Sequence, residues 1–128
     1  MIFRIPGNCP SKSNSYRVSG NKLIKTSACR RFESTFSVFM GNKYKGLEYD
    51  GIFEIWIAVY FSNWKSDLDG CFKIVLDCLQ KFRVIKNDNK CIRIRAEKYV
   101  DKKEPRVEIK LITDPKYEPV DKLPKTWT

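Results

Sequence analysis

Asp67 and Asp69 stand one residue apart in the stretch SDLDGCFKIVLDCLQKF, residues 66–82, where an amphipathic pattern begins. A carboxylate at the start of a helix accepts orphan backbone N–H bonds and meets the positive end of the helix dipole. That reading accounts for one aspartate and not for the pair, because neighbouring like charges repel unless a cation lies between them. Oxygen ligands of this kind suit Mg²⁺ or Mn²⁺, which bind through a few carboxylates together with water and substrate phosphate. Lys73 follows one turn after Asp69, on its face. It fits an i, i+4 ion pair worth ~0.3–0.5 kcal/mol, and it fits equally an ammonium placed over a metal-held phosphate. Asp88 lies in the turn Asn87-Asp88-Asn89. Alone it is a turn residue; in an assembled sheet that turn could face the start of the 67–82 helix. Capping and metal binding both stay open on spacing alone.

The rest of the composition narrows the chemistry. The chain of 128 residues has no histidine, which removes His-based triads and any His general base. Catalysis would have to run on carboxylates, lysines, hydroxyls or a metal. The five cysteines include no CxxC pair, make a poor zinc set without histidine, and are expected as reduced thiols of a cytoplasmic protein. No stretch approaches 18 apolar residues, so no membrane span is expected. Lys and Arg number 25 against 15 Asp and Glu, a formal charge of +10. Such an excess on a small domain favours a polyanionic partner, nucleic acid above all.

These residues need elements to position them. MIFRIPG reads as a short strand stopped at Pro6-Gly7, and SYRV with KLIK as a hairpin around Ser19-Gly20-Asn21. Cys29, Phe32, Phe36 and Phe39 fall at helical spacing, predicting a helix over about 27–40 with Thr26 or Ser27 as N-cap and Gly41-Asn42 as its stop. GIFEIWIAVYF, residues 51–61, predicts a central strand buried on both faces, with Glu54 near its end. In the following helix Leu68, Phe72, Val75, Leu79 and Phe82 form one apolar stripe, beside a row of Asp69, Lys73 and Asp77. CIRIRAEKYV and PRVEIKLIT alternate as strands and predict a hairpin about the charged turn DKKEP. The tail from 113 to 128 holds three prolines and reads as an extended arm or a disordered segment. The order predicts a single-domain α+β fold, a small mixed or antiparallel sheet covered by two main helices.

Short acidic patterns have several homes. DLDG is similar to the opening of haloacid-dehalogenase phosphatases, but there the aspartates directly follow a buried strand, whereas SNWKS intervenes here. Length argues against that fold and against sugar transferases with a DxD motif. The acid-x-Lys patterns in DNK and EIK arise by chance in a chain with 31% charged residues.

The joint spacing of Asp67, Asp69, Lys73, Asp77 and Asp88, in DLDGCFKIVLDCLQK followed by IKND, resembles the RusA-type Holliday junction resolvases. PSKSNSYR near the N-terminus and RVEIKL near the end are similar to that family's opening and last strand, so the likeness spans residues 1–112. It implies a RusA-like nuclease domain over 1–112: a homodimeric, Mg²⁺-dependent endonuclease of phage or prophage type. Such an enzyme nicks four-way DNA junctions symmetrically in recombination and repair. The resemblance assigns metal binding to Asp67, Asp69 and Asp88 and catalysis to Lys73. Two positions depart from the pattern. Gly70 stands where Asn is usual, and Asn87 replaces the first acid of the usual pair.

Residues 1–47 hold nine Lys or Arg and one acid. Within that block Lys12, Arg17, Lys22, Lys25, Arg30 and Arg31 are expected to grip DNA phosphates. A four-way junction has two-fold symmetry, so paired cutting asks for two equivalent sites and a C2 dimer. Aromatic residues of 36–49 are candidates for its surface.

Overall fold

A computed structural model describes residues 1–10 and 16–116. The elements are β1 (Ile2–Pro6), β2 (Tyr16–Ser19), β3 (Lys22–Lys25), α1 (Ser27–Met40), β4 (Phe53–Phe61), α2 (Gly70–Lys81), β5 (Cys91–Val100) and β6 (Arg106–Thr113). A four-stranded mixed sheet has the order β1-β6-β4-β5, and β2 and β3 form a separate hairpin. The α+β expectation holds. Lys12 and residues 117–128 of the proline-rich tail lie outside the described residues.

The local signals act as their chemistry requires. Pro6 ends β1, and Gly7 turns the chain at φ +99°. Thr26 caps α1, its side chain accepting a bond from the Cys29 N–H at 3.2 Å. Gly41 closes that helix at φ +74°, a conformation that glycine adopts without strain. The buried stripe of α1 is Cys29, Phe32, Phe36 and Met40; Phe39, expected on it, is 56% exposed. At 3.6 residues per turn the step from Phe36 reaches inward at the fourth residue and not at the third.

Two expectations about the sheet need correction. β4 is central, but it is not buried on both faces. Phe53, Ile55, Ile57, Val59 and Phe61 are buried, while Glu54, Trp56, Ala58 and Tyr60 are half-buried. Long side chains stand over that second face: Arg95 and Lys110 lie 4.9 and 5.0 Å from the Trp56 ring, and Arg106 lies 3.7 Å from Tyr60. Their aliphatic stems shelter apolar residues that a sequence pattern alone reads as fully buried. Glu54 is near the strand start, as expected, and accepts bonds from Trp56 Nε1 at 2.6 Å and Arg93 at 3.2 Å.

The second correction concerns β5 and β6, which do not pair as a hairpin. Both pair with β4, β5 in parallel and β6 antiparallel. The DKKEP turn is present, with the Asp101 carboxylate accepting from the Lys103 and Glu104 N–H groups. It bridges the end of β4, and the Asp101 N–H donates to Phe61 O at 2.8 Å. An apolar strand with two unpaired edges takes the central place, because each buried N–H and C=O needs a partner.

The parallel pair makes β4, α2 and β5 a β-α-β unit. The two chain reversals that carry Asp67 and Asp69 on one side of α2 and Asp88 on the other therefore belong to one crossover. α2 is held by Cys71, Ile74, Val75, Leu76, Cys78 and Leu79, all buried, with Leu68, Phe72 and Phe82 packed at the margin. Side chains such as Val75 and Leu79 contribute roughly 1.5–3 kcal/mol each on burial. The Phe36 and Phe82 rings stack at 6.2 Å and join the two helices.

Candidate active site

α2 presents one polar side, which bears Lys73 and Asp77, while Asp67 and Asp69 precede the helix and Asp88 follows it. Asp69 occupies the N-cap position, yet its side chain makes no capping bond. Asp67 and Asp69 are both exposed, and neither side chain forms a hydrogen bond or ion pair with a described residue. Capping therefore does not explain either carboxylate. The like charges stand side by side with nothing among the described residues to neutralise them.

Two turns further along, a second acidic group is already engaged. Lys73 Nζ donates to Asp77 Oδ1 and to Asp88 Oδ2, each at 2.9 Å. Asp88 is positioned by α2, since its N–H donates to Gln80 Oε1 at 3.0 Å. The Asn87 side chain accepts from the Asn89 N–H at 3.0 Å and caps the short 3₁₀ turn Asp88–Lys90. Asn87 thus has a structural task that an amide side chain performs well. The bonds to Asp77 and then to Asp88 hold the Lys73 ammonium well above its ordinary range, so the group stays charged.

Lys73 and Asp88 are brought together, a pairing that the spacing did not single out, and neither is bonded to the side chain of Asp67 or Asp69. Asp88 lies beside Asp77 and Gln80, and eight residues of helix between Asp69 and Asp77 correspond to about 12 Å. Among the described residues no three acidic or thiol groups converge on a point that would enclose a metal ion. The donor set nonetheless fits a hard divalent cation: every candidate ligand is a carboxylate oxygen, and Asp67 and Asp69 keep their charge unpaired.

Other residues hold these elements, and sequence reasoning did not single them out. Lys98, on β5, donates to Trp64 O at 2.8 Å and to Ser66 O. It thereby fastens the loop that leads into Asp67. Its signal was present: in the alternation Ile92, Ile94, Ala96, Lys98 a lysine takes a core-facing position. Glu33 is buried and bonded to Lys25 at 2.7 Å and to Lys81, joining the hairpin to both helices. Burial pushes its carboxyl up, but the bonds from Lys25 and Lys81 outweigh this and hold it below its ordinary value. Lys25, expected at DNA, is thus engaged with Glu33, whereas Arg17, Lys22, Arg30 and Arg31 are exposed. Asp77 and Gln80 share the Lys73 side of α2, at four and seven residues from it.

The thiols take no part in this chemistry. Cys9, Cys29, Cys71 and Cys78 are buried, Cys91 is half-buried, and none of the five is in a disulfide. Burial pushes the Cys78 thiol up to about 12, which keeps it protonated and inert.

Comparison with known proteins identifies the family. A curated protein named Crossover junction endodeoxyribonuclease RusA, from Aquifex aeolicus (strain VF5), is 30% identical over 102 residues, covering 78% of this chain and 81% of its own length. The profile of the family described as Endodeoxyribonuclease RusA matches residues 6–112, from the end of β1 through most of β6 and across the whole crossover that bears the acids. With that match over most of its length, the chain belongs to the RusA endodeoxyribonuclease family.

Proposed function

We propose that this protein is a Mg²⁺-dependent endonuclease that resolves four-way DNA junctions by paired, symmetric nicks. It acts as a homodimer in the cytoplasm of a bacterial or phage-infected cell, in recombination and repair of phage or prophage type. The observation that carries this reading is the unpartnered pair Asp67 and Asp69 at the entry to α2, the helix whose Lys73 is ion-paired with Asp88 from the turn beyond it. Family membership supports junction cleavage as the reaction.

In this reading Asp67 and Asp69 would hold Mg²⁺, with Mn²⁺ a substitute, and Asp88, bonded to Lys73 in this structure, would complete the set. The bound ion supplies a Lewis acid that lowers the pKa of water and polarises the scissile phosphate. The chain's own groups do the rest. Lys73, kept as an ammonium, stabilises the negative charge that grows on the phosphate in the transition state. It cannot serve as a base while its proton is held by two carboxylates. Gln80 and Lys98 fix the loops on either side of α2. Arg17, Lys22, Arg30 and Arg31, on the hairpin and α1, neutralise backbone phosphates. Two copies place two such sites on a two-fold symmetric substrate.

The test compares cleavage of a synthetic four-way junction, a flap and a linear duplex of the same sequences. Preferred cutting of the junction supports the proposal. Preferred cutting of the flap would indicate another structure-selective nuclease, and binding without any cutting would indicate a non-catalytic DNA-binding module.

A further inference from the structure

The loop at residues 7–10, the first turns of α1 and the loop at 62–67 enclose a groove of about 710 Å³. It is twice the volume of the one that holds Lys73, which is about 350 Å³. Among its lining residues are Asn8, Arg31, Thr35, Asn63 and Lys65, and it extends to Asp67. We infer that this groove binds the sugar-phosphate backbone of one DNA strand and leads it to Asp67. The inference rests on the nuclease reading and names how its substrate is held.

Charge is the first argument. Lys25, Lys73, Lys81, Arg83, Lys86, Arg93, Arg95 and Arg106 are each within 4 Å of a carboxylate, so these cations already have a counter-ion in the protein. Arg31 and Lys65 are exposed and form no ion pair with a described residue. One stands on the α1 wall and the other on the opposing loop, so an anion between them meets a cation from each side.

Donor chemistry is the second. Asn8 Oδ1 accepts from the Ser62 N–H at 3.0 Å, and Asn63 Oδ1 accepts from the Lys65 N–H at 2.9 Å. With both carbonyl ends used, each amide has its NH₂ left to donate. Arginine, lysine and two amide donors make a lining suited to phosphate oxygens. The Asn8 bond also ties one wall to the other, so the groove is preformed.

The third argument is what the groove lacks. Phe32 lines it but is buried, and the exposed Trp64 of the 62–67 loop is not among its lining residues, so no lining ring offers a base a stacking surface. Contacts made only to phosphate and sugar carry no sequence information and depend strongly on salt. The groove therefore positions a strand without reading it.

The experiment is equilibrium binding of the full chain to a fluorescent four-way junction in EDTA over a range of salt concentrations. In Arg31→Gln with Lys65→Gln, affinity is expected to fall at least tenfold and the salt slope by about two, one for each lost phosphate contact. Lys110→Gln, on the opposite face of the sheet, is the control and is expected to bind as the unmodified protein does. A double variant with unchanged affinity and slope would overturn the inference, and so would an equal loss in Lys110→Gln. Because binding is read without metal, an unmodified protein that binds through Arg31 and Lys65 yet never cuts would remove the nuclease reading and leave the groove standing.

Discussion

The Lys73 ammonium lies 2.9 Å from the Asp88 carboxylate, although fifteen residues and a chain reversal separate them. The same nitrogen lies 2.9 Å from Asp77. This arrangement fixes the charge state of Lys73. Its folded pKa is raised above that of the unfolded chain. The stabilisation is therefore fully present below the ordinary lysine range and is lost only as pH rises through the raised value. Lys73 should contribute no limb to a pH–rate profile between neutrality and pH 10. Lys73→Met should lower the single-turnover rate by about 10²–10³-fold, while junction affinity changes little. An undiminished rate would remove Lys73 from the mechanism.

Asp67 and Asp69 are free of structural duties among the described residues. Asp69→Asn and Asp67→Asn should therefore leave the melting temperature unchanged or raise it, since each removes a like-charge repulsion. Both should abolish Mg²⁺-dependent nicking and leave junction binding intact or tighter. Thermal unfolding and gel-shift binding on the same samples check the two halves.

Lys98 and Gln80 act through the segments they hold. Lys98→Met loses the bonds to Trp64 O and Ser66 O, and with them the ammonium that lies 5.7 and 5.6 Å from the Phe61 and Trp64 ring centroids. Gln80→Ala removes the acceptor for the Asp88 N–H. Outer partners of metal ligands are worth about 10–100-fold in metal affinity. Each variant should raise the Mg²⁺ concentration for half-maximal rate by that factor, with the rate largely recovered at saturating Mg²⁺. A fall in rate that excess Mg²⁺ does not restore would contradict the positioning role.

Glu33 governs the acid side of stability. Its folded pKa is depressed below the ordinary value of 4.5. Its contribution is therefore present above that value and is lost as pH falls through the folded one. Glu33→Gln should cost about 1.5–3 kcal/mol at neutral pH, the range for hydrogen bonds to charged groups. It should also flatten the drop in stability below pH 4.5. Urea unfolding of both proteins at pH 3 and pH 7 measures this.

The sequence made the elements legible where one local signal ruled each boundary. Thr26 and Gly41 delimit α1, and Gly20 turns the β2–β3 hairpin. It was less informative where a choice depends on the partner. The link at 101–105 has good turn chemistry, yet whether β5 and β6 touch depends on whether β4 comes between them, which no local pattern encodes. The faces of β4 were misread for the same reason, since Arg95, Lys110 and Arg106 cover Trp56 and Tyr60 from other strands. In the candidate site, helix spacing puts Asp69, Lys73 and Asp77 in one row and suggests an ion pair of Lys73 with Asp69, whereas the bond observed is with Asp77. Gln80 and Lys98 were not singled out because their task is to bond backbone groups far away in sequence.

The central claim is that these acids and Lys73 serve metal-dependent resolution of DNA junctions. The most direct measurement is incubation of the purified protein with a synthetic mobile four-way junction, with and without Mg²⁺, mapping nicks on all four strands. The account predicts Mg²⁺-dependent nicks at symmetric positions on two opposed strands, giving linear duplex products. Cleavage that persists in EDTA, nicks without symmetry, or an intact junction in saturating Mg²⁺ would contradict it.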